Sequence, residues 1–154
     1  MKKIITGVAL LTGLAACSTS APTPAPRPVA GMPPAGTSGG ADPTSAVRGF
    51  MAAAKLQSVQ SLSMWWGDAN GPTREQMDKD QLEKRELIML KCLKHDRFDV
   101  VGEAPTTGGA HDVVLNVIYH ESANTTHLTV VAGPHSRWYV QAVDLQPLHS
   151  VCVG

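Results

Sequence analysis

The sequence predicts an α+β domain in which N-terminal helices pack on a four-stranded antiparallel sheet. Three observations predict it. Apolar residues recur at helical spacing between Val47 and Leu93, the period changes to two from Arg97 onward, and short Gly-, Pro- and Asn-bearing turns divide the later half. Helical segments followed by strands on short connections give one antiparallel sheet covered by helices. At 154 residues the chain accommodates one such domain and a non-globular part. The expected division is residues 1–16 as leader, 17–41 as tether and 42–154 as the domain.

The leader carries Lys2 and Lys3 ahead of an apolar run from Ile4 to Ala16. A run of that length reaches only about 20 Å as a helix, short of the roughly 30 Å hydrocarbon layer. It therefore reads as a signal peptide. Ordinary cleavage after Ala-x-Ala is the plainer alternative. Leu14-Ala15-Ala16-Cys17 resembles the bacterial lipoprotein signal, the lipobox, position for position. The resemblance implies lipidation of Cys17 on sulfur and cleavage before it, followed by N-acylation with a palmitate-type chain. Each buried methylene contributes about 0.8 kcal/mol, so two or three chains hold a protein on a membrane stably. Ser18 after the cysteine implies outer-membrane sorting in a Gram-negative envelope, with the domain facing the periplasm.

Residues 17–41 are rich in proline and glycine and poor in apolar surface, so an extended, disordered spacer is expected there. Without the leader, 11 basic residues face 13 acidic ones, which argues against nucleic acid and against a polybasic membrane contact.

In the domain, Asp42-Pro43 opens a helix with an apolar stripe of Val47, Phe50, Met51 and Ala54. A second helical piece through Val59, Leu62 and Trp65 is expected to end at Gly67. A third starts at Pro72-Thr73 with a Thr73–Gln76 capping box, breaks near Lys79 and restarts with Asp80–Glu83. From Leu87 to Leu93 the helix is nearly all apolar, so that end is expected to be buried, with Lys84, Arg85 and Glu86 nearer solvent. Strands are expected at Arg97–Glu103, Asp112–His120, Thr125–Ala132 and Arg137–Leu145. Val113, Leu115, Val117 and Tyr119 share the expected core face, together with Leu128, Val130, Trp138 and Val140.

Three local patterns carry a second resemblance: Asp42-Pro43 with Ala46-Val47 and Phe50, Met64-Trp65-Trp66-Gly67, and Trp138-Tyr139-Val140 before Asp144-Leu145. With the element order they make Asp42–Leu145 similar to the nuclear-transport-factor-2-like, ketosteroid-isomerase-type superfamily. The resemblance implies a curved, cone-like sheet. Together with the leader and tether, it implies a small bacterial lipoprotein of a kind without assigned activity.

Cys92 and Cys152 become an even pair once Cys17 is lipidated, and export makes a disulfide between them the expectation over two buried thiols. The six histidines show no metal-ligand spacing and read as surface residues, with a four-residue turn pairing His120 with Thr125. No Gly-x-Ser-x-Gly nucleophile elbow on a strand-to-helix turn is expected, and Gly108-Gly109 reads as a hairpin turn. No cofactor motif occurs. Enzymes of the cone-like type work with an acid and an aromatic hydroxyl inside the cone. Here Tyr119 is on the inner face, Asp99 has the wrong parity and Asp144 depends on a bulge. The expected function is therefore a lipid-anchored, non-catalytic binding module for an envelope protein or small apolar ligand. An isomerase- or dehydratase-like enzyme is the alternative. If a cavity opens between sheet and helices, Trp65, Trp66, Tyr119 and Trp138 are expected to line it.

Overall fold

The computed structural model describes residues Ser38–Val153, so the leader, Cys17 and most of the expected tether lie outside the described residues. The first helix, α1 (Pro43–Lys55), begins where the sequence places it. Asp42 Oδ1 accepts from the Ser45 backbone N–H at 2.7 Å, and Ser45 Oγ accepts from the Asp42 N–H at 3.0 Å. This reciprocal cap satisfies donors that a helix start leaves without partners. Val47, Phe50, Met51 and Ala54 are all fully buried, so the stripe read from spacing is the buried face.

A short α2 (Val59–Leu62) follows, ending earlier than Gly67. Trp65 and Trp66 instead lead into a small hairpin of β1 (Gly67–Asp68) and β2 (Gly71–Pro72). Thr73–Glu75 forms one 3-10 turn, and α3 (Lys79–Cys92) restarts beyond it. The break is where the sequence puts it, but Asp78 is the cap. Its Oδ1 accepts from Asp80 N–H at 3.0 Å and Gln81 N–H at 3.3 Å.

Leu90, Cys92 and Leu93 are buried and Lys84 and Arg85 exposed as expected, but the middle of α3 reverses the expectation. Glu86 has no exposed surface, whereas Leu87 is 52% and Ile88 59% exposed. The helical period explains the reversal. Leu82, Glu86 and Leu90 stand four residues apart on the one stripe that faces the core, with Leu93 continuing it. Leu87 and Ile88 lie about 100° and 200° further round from Glu86.

The sheet is β3 (Arg97–Pro105), β4 (His111–Tyr119), β5 (Ser122–Ala132) and β6 (Trp138–Val143), an antiparallel meander in that order. Val113, Leu115, Val117, Leu128, Val130 and Val140 are buried against α1, as strand parity predicts. The β4–β5 turn is tighter than expected. Tyr119 pairs with Ser122, leaving only His120-Glu121 as the turn, and His120 adopts φ 52°. Asn124, a turn residue by composition, pairs with Val117 within the strand. A short helix, α4 (His149–Val153), returns the chain to α3 and places the Cys92 and Cys152 sulfurs 2.17 Å apart, at disulfide distance.

Two bulges shape the sheet. One lies at Val101 in β3, which leaves that side chain 59% exposed. The other lies in β6, where Thr129 pairs with Ala142 and Val130 with Val140, so Gln141 has no partner across the ladder. The free side of β6 is covered. Gly40 pairs with Trp138 and Trp66 bridges to Val140, so Ser38–Gly40, the end of the expected tether, is joined to the fold.

Candidate functional site

The β6 bulge builds a cleft at the edge of the sheet. A bulged residue leaves the ladder, and its carbonyl and side chain take new directions. Here the Gln141 carbonyl accepts from Trp66 Nε1–H at 3.3 Å, and the Gln141 side chain lines the cleft. Trp66 is held by its backbone as well. Val140 N–H donates to Trp65 O, and Thr73 N–H donates to Trp66 O, each at 2.9 Å. The indole is thereby fixed between β6 and the β1–β2 hairpin while staying partly exposed.

The opposite wall is the turn into α3. Asp68 Oδ1 accepts from Asn70 N–H at 2.7 Å and from Gln76 Nε2 at 3.0 Å. Gln76 Nε2 also donates to Gly71 O at 2.9 Å, which ties the hairpin to the turn. Asp78 is fixed by capping α3. Together these residues, with Thr73 and Gln81, enclose an open cleft of about 490 Å³. That volume falls within the range of about 300–1,000 Å³ common for small-ligand sites. Among the described residues its lining has no cationic side chain: one indole, one thioether, three side-chain amides, a threonine hydroxyl and two carboxylates define it. An anionic ligand would therefore meet Asp68 and Asp78 without a compensating charge.

The four aromatics expected around one cavity are not brought together. Trp66 alone of the four lines the cleft. Trp65 is 4% exposed and lies so close to Gly49 in α1 that any Cβ there would run into its ring. Trp138 is partly buried and stands edge-on to His111, with ring centroids 5.0 Å apart. Tyr119 is at the far end of β4, stacked obliquely on the turn residue His120. Between sheet and helices, the space is filled by side chains such as Phe50, Met51 and Leu115.

The acids considered for an enzyme site are also dispersed. Asp99 pairs across the ladder with Asn116, and Asp144 Oδ1 caps the backbone of Gln146; both are exposed. Glu86 is pushed up to about 7 by burial first and by the neighbouring Glu83 charge second. It belongs to the core-facing stripe of α3 and not to the cleft. Among the histidines, His95 is buried, in contrast to the surface position expected. Its Nδ1–H donates to Leu93 O at 2.7 Å, its Nε2 has no partner, and burial lowers its pKa. His111 bonds Glu103 at 3.0 Å and His127 bonds Asp112 at 2.8 Å, each pair partly exposed. Among the described residues no group of three or more His, Cys, Asp and Glu could hold a metal ion.

Sequence reasoning found Trp66 but missed Asp68, Gln76, Gln81 and Gln141. Asp68-Ala69-Asn70-Gly71 is a turn signal that marks the hairpin. Nothing local marks Gln141, because a bulge is fixed by the register of two strands. Among the described residues, no helix is long and apolar enough to cross a membrane. Comparison of the chain with family models, with curated proteins and with solved structures finds no match.

Proposed function

We propose that this chain is a lipid-anchored bacterial envelope protein whose domain binds a ligand and does not catalyse a reaction. In this reading Cys17 carries the lipid, the anchor lies in the outer membrane, and the domain faces the periplasm. In this reading the domain is of the nuclear-transport-factor-2-like, cone-like type, which a four-stranded antiparallel sheet packed with helices supports. The observation that carries the binding reading is the cleft at Trp66. A ladder bulge, a backbone bridge and two fixed carboxylates preorganise its walls, and preorganisation lowers the ordering cost of binding. Among the described residues no serine, cysteine or histidine lines it, and both of its aspartates spend Oδ1 on internal hydrogen bonds, which supports binding over catalysis.

Two measurements on intact cells test this reading. Detergent phase partitioning of the full chain should place it in the detergent phase, and Cys17→Ser should move it to the aqueous phase. A wild-type chain wholly in the aqueous phase would refute the anchor. A photo-crosslinking residue at Gln141 should form an adduct that the same residue at exposed Arg85 does not. Equal labelling at the two positions, or none at Gln141, would refute the cleft as the binding surface.

A further inference from the structure

Resting on the binding reading above, we infer that the Trp66 cleft takes a neutral, hydroxylated ring: one or more sugar units of a glycan. Several polar groups of the cleft are left unspent by the protein itself. Asp68 and Asp78 each use Oδ1 for two internal hydrogen bonds, which anchors the carboxylate and leaves Oδ2 without a partner among the described residues. Among the described residues, the side-chain amides of Gln81 and Gln141 and the Thr73 hydroxyl make no hydrogen bond to the protein. The cleft thus offers two fixed acceptors, two amides that both donate and accept, and one hydroxyl.

A sugar hydroxyl both donates and accepts, so adjacent hydroxyls pair with a carboxylate oxygen and an amide side by side. The C–H face of a pyranose ring is apolar and flat enough to lie on an indole. Trp66 supplies that surface, and its own N–H is already directed into the Gln141 carbonyl. Competing ligand chemistries fit less well. Phosphates and carboxylates would meet two aspartates and no cation. A small apolar ligand would strand the unspent polar groups, and each buried donor or acceptor left unmet costs about 1–3 kcal/mol. An alkylammonium would find negative charge but only one aromatic face, where cages for such cations use several.

The cleft is also open to solvent and sits at a sheet edge, so a chain of sugar units can run through it without threading.

The test uses the full lipidated chain in a detergent without a sugar headgroup, labelled with 15N. Chitotriose, cellotriose and maltotriose are the glycan probes, spermidine the cationic probe and inorganic phosphate the anionic one. At least one trisaccharide should shift the Trp66 indole N–H and the Gln81 and Gln141 side-chain amides saturably. Gln81→Ala and Gln141→Ala should each weaken that binding by about three- to tenfold, the range for losing one net hydrogen bond. Both are exposed side chains without internal bonds, so the fold should persist, as the remaining amide spectrum reports. If spermidine or phosphate moves these signals and the sugars do not, the glycan assignment is overturned and the binding cleft stands. If no probe moves them, or sugars shift only signals elsewhere, the assignment is overturned too. Crosslinking at Gln141 then judges the binding reading on its own.

Discussion

A fully buried carboxyl with neither oxygen hydrogen-bonded is costly unless it holds its proton, and Glu86 is such a group. Its folded pKa is raised from 4.5 to about 7. Between those values the folded chain keeps a proton that the unfolded chain releases, so stability falls as pH rises through that window and the contribution is gone above it. The loss is on the order of 3 kcal/mol. His95 works in the opposite direction, since its imidazole resists protonation in the folded state. Its contribution is present above pH 6.5 and is lost as pH falls through its lowered folded value. The two slopes oppose each other below pH 6.5, and between pH 6.5 and about 7 only Glu86 acts. Urea unfolding at about pH 6 and about pH 8 should therefore show a weaker protein at the higher pH. Glu86→Gln should remove most of that difference. An equal loss in the variant would mean that Glu86 is not the group responsible.

At the scale of elements, two close approaches fix how helices sit on their neighbours. Gly49 lets α1 meet the Trp65 ring, where a Cβ would overlap the indole carbons. Gly49→Ala should cost about 1–3 kcal/mol by overpacking, although alanine is the better helix former. A thermal melt of the variant that is unchanged or raised would show that α1 can shift outward. The α3–α4 contact carries the cysteine pair, whose members are 60 positions apart in the sequence. A disulfide closing such a loop contributes about 4 kcal/mol in the chain-entropy model. Alkylation without reductant should leave both cysteines unmodified in exported protein, and Cys152→Ser should lower the urea midpoint strongly. Rapid labelling of both thiols would refute the bond. The free edge of β3 is guarded differently: Arg97, Asp99 and Glu103 with a bulge at Val101 and a terminal Pro105 oppose pairing with another strand.

For the whole molecule, one core joins α1, α2, α3 and the inner face of the sheet. Strand parity is what assigns residues to it, and a one-residue slip would exchange every side chain between faces. Leu115→Ala removes a fully buried side chain at the centre of β4 and should cost about 2–5 kcal/mol. Asn116→Ala, one position along on the partly exposed face, should cost far less. Comparable losses in urea titrations would contradict the register.

The sequence by itself determined whatever depends on near neighbours along the chain. The Asp42 cap, the α1 stripe, the break before α3, the four strands and their inner face all follow from periods and caps spanning a few residues. So does the pairing of Leu128 and Val130 with the β4 face, because short turns allow only antiparallel neighbours. Tertiary structure decided the rest, for reasons that are not local. Composition marked Leu87–Leu93 as buried and Glu86 as exposed, but the rotation of α3 against α1 and α4 put Glu86 inside. The two-residue turn at His120 came from register, since Ser122 and Asn124 gain ladder partners on β4 by extending the strand. The cleft belongs to the same class. It needs a bulge between β5 and β6 and a bridge from Trp66 to Val140, two contacts between segments far apart in the chain. Each is a balance of packing and hydrogen bonding that exists only once those segments meet.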